Sequence, residues 1–361
     1  MTPVQRQCTH VAVIGLMVTA LHIGCKKGNH DAGSDQPDKK AIVSTIAGDG
    51  SNAFADGPLL SAKFRSPADV VVAPDGTIYV ADFNDHRVRK LANGQVTTLA
   101  GSDISDVKDG DGALARFKNP NRIVVDPAGN CYVLDETDPR IRKITPAGHV
   151  TTYAGSDTPG FRDGDALVAQ FLINAEGLAA DGAGNVYLGD TFNGRIRKIS
   201  VAAQVNTIAG DGSEGLRNGN GATAKFSFPG GVTCDQQGNI YVSDQGNNCI
   251  RKITAGGVVS TFAGSGTIGD ADGAGDVAQF RGLLDLAADV QGNIYVIDED
   301  RIRKVTPEGV VSTVAGSVAG YADGEGTVAK FKDPVGLGID AQGNLYVADL
   351  NNFRIRKITF Q

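Results

Sequence analysis

Five side chains stand where chemistry would be done: Asp69, Asn121, Arg122, Glu176 and Asp285. Each replaces a small or apolar residue found at the same place in sister copies of an internal repeat. Gly177, Gly231 and Gly336 align with Asp69, Arg122 and Asp285, and Ala68, Gly230, Leu284 and Val335 align with Asn121 and Glu176. Asp69, Glu176 and Asp285 offer the hard oxygens that calcium takes, with Asn121 as a neutral supplement. Arg122 carries a planar fork suited to orienting an anionic group. Asymmetry on a repeated scaffold is where specificity is built, so these positions are the candidate binding site. The alternative is drift accompanied by an Asp69–Arg122 ion pair.

Other chemistry-bearing residues recur too regularly to mark one site. Asp82, Asp135, Asp190, Asp244, Asp298 and Asp349 occupy one position in six copies. A carboxylate there would accept backbone N–H groups in the next turn or pair with an Arg. The Arg-Ile-Arg-Lys runs spread evenly, which predicts stems packed along the surface and heads paired rather than a basic patch. With a net charge of −7, nucleic acid is excluded as a partner. Asp-Gly pairs at Asp56, Asp111, Asp163, Asp272 and Asp323, with Asn218 in copy four, read as turns. Asp270 to Asp276 partly matches an EF-hand loop, but Arg281 stands where the bidentate Glu is needed. Beyond the amino-terminal segment His occurs at His30, His86 and His149, and no nucleophile elbow, phosphate loop or zinc-spaced pair is present. Cys131 and Cys234 lie in apolar runs and are expected to pack as small hydrophobes.

The elements that would position these residues follow from the repeat. Tyr79, Tyr132, Tyr187, Tyr241, Tyr295 and Tyr346 recur every 51 to 55 residues. Each copy holds four short strand candidates, as in Gly336 to Asp340, Asn344 to Asp349, Arg354 to Ile358 and Val311 to Ala315. Four antiparallel strands per repeat make a propeller blade. The last copy stops after its third strand while Ile42 to Ala47 precede the first copy as a spare fourth. The fold class is therefore all-β: a six-bladed propeller of four-stranded antiparallel blades, closed by the amino-terminal strand pairing with the last blade. Ala-x-Phe, as in Ala329 to Phe331, is expected to plug each blade through a short helical turn.

The pattern G-N-x-Y-V-x-D followed by N-x-R-I-R-K resembles NHL repeats over residues 41–361, in the long form found in bacterial secreted proteins. That resemblance implies the fold more than the function, because one fold hosts many activities. Propellers resembling α-amidating and streptogramin lyases would need several converging His residues, which this chain lacks. Gluconolactonase and paraoxonase propellers hold calcium in the channel, and Asp69, Glu176 and Asp285 would be the carboxylates for it here.

Residues 1–24 read as a signal segment: Arg6, then an apolar run from Val11 to Leu21, too short for a stable span. Leu21 to Cys25 resembles a bacterial lipobox, with His22 where Leu is usual, and makes Cys25 the expected lipidation site. Residues 25–40 suit a flexible tether, and 41–361 form the propeller. The expected protein is a monomer on the extracytoplasmic side of a bacterial envelope, lipid-anchored, or else secreted or periplasmic. It would bind a protein or glycan partner and require no cofactor. A calcium-dependent hydrolase and an envelope-assembly scaffold are the alternatives.

Overall fold

A computed structural model describes residues 39–361, so the signal segment, Cys25 and nearly all of the tether lie outside the described residues. The six repeats form six antiparallel blades, and the innermost strands of neighbouring blades pack around a central axis. Those inner strands are Pro67–Val72, Pro120–Val125, Gly177–Ala180, Pro229–Cys234, Leu283–Ala288 and Pro334–Ile339, in blades one to six. In blade one, Ile78–Asp82, Arg87–Ala92 and Gln95–Gly101 follow outward. The blades are wider than four strands in five cases. A two-residue strand such as Gly57–Pro58 adds to the outer edge everywhere except blade five.

Closure follows the expected route. Ala41–Ala47 is the fourth strand of blade six, pairing with Arg354–Phe360 in the register Ala41↔Phe360 and Val43↔Ile358. A bulge between Thr45 and Ala47 bends it, and Ile42 and Val43 also pair with Glu325 and Gly324. Each blade interface has its own apolar core. Between blades one and two, for example, Tyr79 and Ala81 meet Phe117, Ile123 and Val133. The Ala-x-Phe plug is fully buried in all six copies, Phe64 through Phe331 having no exposed surface.

The Gly-Asn-x-Tyr signature is a turn device. Asp126 Oδ1 accepts the N–H groups of Ala128 and Asn130 at 2.9 Å each, and its Oδ2 accepts Asn130 Nδ2 and the Tyr132 hydroxyl. The same set recurs on Asp181, Asp235, Asp289 and Asp340. Gly129, at φ 83°, takes the left-handed position that the turn requires. These turns ring one end of the axis, here called the turn face. The long connections that lead into the inner strands ring the other, the loop face.

Two expectations about the repeated charges are corrected. The second Arg of each Arg-x-Arg-Lys run is not on the surface: Arg89, Arg142, Arg197, Arg251, Arg303 and Arg356 are buried to 1% exposure or less. Arg197 is held by Asp190 and Asp163, at 2.6 Å each, and by the carbonyls of Arg162 and Gln170. Hence the Asp of each Asp-Gly pair is an Arg partner as well as a turn residue. In copy two that position belongs to Asp109, which binds Arg142, and not to Asp111. Asp111 instead meets the exposed His149 ring at 2.5 Å. The EF-hand-like loop is spent likewise, Asp270 on Arg301 at 2.8 Å and Asp272 on Arg303 at 2.7 Å.

Candidate functional site

The five candidate residues separate into two groups. Asp69 and Asp285, 4% and 5% exposed, project from the inner strands of blades one and five into the same bore, near enough for their charges to interact. Gly336 makes this approach feasible, since a Cβ there would lie 2.5 Å from Asp69 Oδ1. Gly231 does the same beside Asp285, with a Cβ 2.8 Å from the Asp285 Cα. Asp69 Oδ2 accepts the Ile123 N–H of blade two at 2.8 Å, and its Oδ1 accepts Val70 N–H at 2.7 Å. Asp285 Oδ2 accepts the Leu337 N–H of blade six at 2.9 Å. The pair thus ties blades one to two and five to six.

Burial holds the Asp69 carboxyl well above the usual range; the nearby Asp285 charge adds to the rise and Arg122 opposes it. Burial also raises Asp285, again against the Arg122 field. Two like charges that interact in a desolvated place favour holding one proton in common. The pair lines a 230 Å³ bore whose remaining wall is mostly Val, Leu, Ile and Ala of the six inner strands. It therefore sits inside the channel, one step inward from the mouth where sequence placed it.

Arg122, Asn121 and Glu176 form the second group on the loop face. Arg122 Nε donates to the Glu176 carbonyl at 2.7 Å and Nη1 to the Asn121 carbonyl at 3.0 Å. Among the described residues Arg122 makes no ion pair, so the Asp69–Arg122 bridge of the alternative reading does not form; Arg122 acts on that carboxyl through its field alone. Asn121 Nδ2 donates to the Ala175 carbonyl at 3.3 Å, while its buried Oδ1 has no partner. The Glu176 carboxylate turns away from the axis pair to accept Gln245 Nε2 at 2.8 Å. Among the described residues no three His, Cys, Asp or Glu side chains are grouped as a metal site requires. The structure thus joins Asp69 to Asp285 and sets Glu176 apart.

Sequence reasoning missed three neighbours of this group. Glu136 lies close enough to Glu176 for the like charge, together with burial, to raise its pKa. Gln245 closes the Glu176 hydrogen bond. Phe228 stacks edge-on against Phe192, with centroids 5.8 Å apart, and the two are 37% and 53% exposed. They adjoin the polar group directly: Thr191 Oγ1 accepts the Glu176 N–H and donates to the Pro229 carbonyl. Phe228 holds φ at 53°, a strained region for an aromatic residue. A signal was available, because Phe83, Glu136, Thr191, Gln245, Glu299 and Leu350 share one variable position directly after the sixfold Asp.

Comparison with known proteins agrees with this architecture. The family model described as NHL repeat matches residues 64–91, 226–253 and 331–358, which run from the plug Phe through the third strand of blades one, four and six. Mouse Teneurin-3 is 28% identical over 385 residues, covering 90% of this chain and 14% of its own length. The chain thus spans about a seventh of the curated relatives it matches first. Among solved structures, a Bacteroides thetaiotaomicron protein of unknown function superposes with a TM-score of 0.68 at 22% identity, over 89% of this chain and 76% of its own. An auxiliary nutrient binding protein of the same organism gives 0.67 at 17% identity, over 89% and 77%. At such identities the structural likeness speaks to fold. Three matched NHL repeats within a closed ring of six blades make this chain a six-bladed β-propeller that carries NHL repeats.

Proposed function

We propose that this propeller is an extracytoplasmic binding protein, tethered to a bacterial envelope through Cys25, that presents the loop-face mouth to a protein or glycan partner. The observation that carries this reading is the exposed Phe192–Phe228 pair beside Glu176, Gln245 and Arg122. Asp333 holds the same position of blade six at φ 50°, a region that Asp tolerates better than a bulky aromatic, and strain at an exposed aromatic such as Phe228 is retained where that side chain has a use. An aromatic surface next to planar hydrogen-bonding groups suits sugar rings and peptide segments alike. The resemblance to a protein described as nutrient binding points the same way.

The test uses the full chain against a glycan array and against envelope proteins captured by photo-crosslinking on intact cells. Phe192→Ala combined with Phe228→Gly should abolish binding without lowering stability, because Gly suits φ 53°. Val201→Asp, on the turn face, should bind normally. Unchanged binding by the double variant would remove the loop face from the reading.

A calcium-dependent hydrolase is the second reading; the two buried channel carboxylates supply only part of the oxygen shell calcium seeks. Calcium at a hundred times its dissociation constant would add about 2.7 kcal/mol to stability, and Asp285→Asn would abolish the gain. No shift in melting with calcium would end that reading.

A further inference from the structure

The charge balance and shape of the bore go beyond the loop-face reading, and they concern the opposite end of the axis. Asp69 and Asp285 line one end of the 230 Å³ bore, and Val72, Val125 and Ala180 line the other. Those three residues also line a wider vestibule of 660 Å³ on the turn face, so the two spaces adjoin. Asp75, Asp126, Asp181 and Asp340 stand around that vestibule. Their hydrogen bonds hold all four carboxyls below the usual range, against burial, so they are ionised at neutral pH. Lys357 offsets one of them, 3.8 Å from Asp340.

At the inner end, two carboxylates face one cation, Arg122, which acts from the loop-face side. The deficit is one positive charge, to be met by a shared proton or by one monovalent cation. A bare divalent metal fits poorly there, since calcium seeks six to eight oxygens and the walls beyond the pair are aliphatic. An ammonium group on an alkyl chain satisfies both: its N–H donors meet the carboxylates and its methylenes meet the walls. From Asp69 to Val72 the inner strand spans about 10 Å, at roughly 3.3 Å per residue. A second amine about that far behind the first would emerge among the vestibule carboxylates.

We propose that the bore is a binding site for a linear aliphatic polyamine, entering from the turn face with its leading ammonium between Asp69 and Asp285. Arg122 repels the same ligand from the loop-face side, which sets the direction of entry.

The experiment is calorimetric titration of the full chain with 1,8-diaminooctane, octylamine and 1,8-octanediol. The diamine should bind one to one, octylamine more weakly, and the diol not measurably. Asp285→Asn should weaken the diamine roughly ten-fold or more, as loss of a charge-assisted hydrogen bond does. Ala180→Phe, which narrows the bore without touching the carboxyl pair, should abolish binding. Failure of the unaltered protein to bind the diamine saturably would overturn the proposal, as would equal binding of the diol or full affinity in Ala180→Phe. None of these outcomes bears on the Phe192–Phe228 variants, so the two proposals stand or fall separately.

Discussion

Arg251 has no exposed surface, and its charge is balanced by one carboxylate, Asp244, at 2.6 Å; the other side-chain partner is the neutral Asn218 at 2.8 Å. In blade two the geometry differs, because Arg142 is paired with Asp109 while Asp135 spends its oxygens on the N–H groups of Lys118 and Asn119. Removing the carboxylate from a buried pair strands the other charge, at a cost of about 3–5 kcal/mol, whereas orphaning backbone donors costs about 1–3 kcal/mol. Asp244→Ala should therefore destabilise more than Asp135→Ala in denaturant unfolding, although the repeat makes the two positions look equivalent. The axis pair makes a second residue-scale prediction. A carboxyl whose pKa is raised on folding contributes stability that is complete below its unfolded value, near 3.8, and is lost as pH rises through the folded value. Asp69 and Asp285 should thus make the protein lose stability as pH rises above about 4. Asp285→Asn should flatten that loss and raise the neutral-pH melting temperature by roughly 2–4 °C, the worth of about 1 kcal/mol in a large domain. An unchanged pH profile of melting would mean that the two carboxyls do not interact.

At the scale of the element, ring closure depends on a strand taken from the far end of the chain. Val43 is 1% exposed and belongs to the core shared with Ile297, Ile302 and Phe331 of the neighbouring blades. Deleting residues 41–48 removes the ladder to Arg354–Phe360, strips that core and bares an edge in blade six. Stability should fall by several kcal/mol and the unfolding transition should broaden, as measured by circular dichroism with denaturant. A sharp transition at the unaltered midpoint would show that blade six holds without its fourth strand. The two-residue outer strands make a smaller contribution. Blade five lacks one and its core is as well buried as the others.

For the whole molecule, the six interface cores and six buried Arg relays make the ring a nearly symmetric support. Against it, departures from the repeat mark the two ends of the axis as chemically different. The loop face carries the aromatic pair with Arg122 and Glu176, and the turn face opens through carboxylates onto the bore. Cys25→Ser should move the protein from the membrane fraction to the soluble extracytoplasmic fraction, read by immunoblot after fractionation. Full solubility of the unaltered protein would remove the tether.

Periodicity was sufficient for the ring. The Tyr spacing, the Gly-Asn turns and the spare strand before the first copy each encode local geometry, and identical local geometry repeated six times leaves closure as the way to bury every edge. The consensus breaks at Asp69, Arg122 and Asp285 were legible for the same reason, since a repeat supplies its own reference. What sequence could not decide was direction and distance. Whether Arg251 lies on a surface or in a core, whether Asp109 or Asp111 meets Arg142, and whether Glu176 turns to the axis or to Gln245 depend on which blades flank each side chain. Asp69 and Asp285 are 216 positions apart and come from blades that are not neighbours. Only the closed ring, with Gly336 leaving room between them, brings their charges into one desolvated place and so makes them a candidate site.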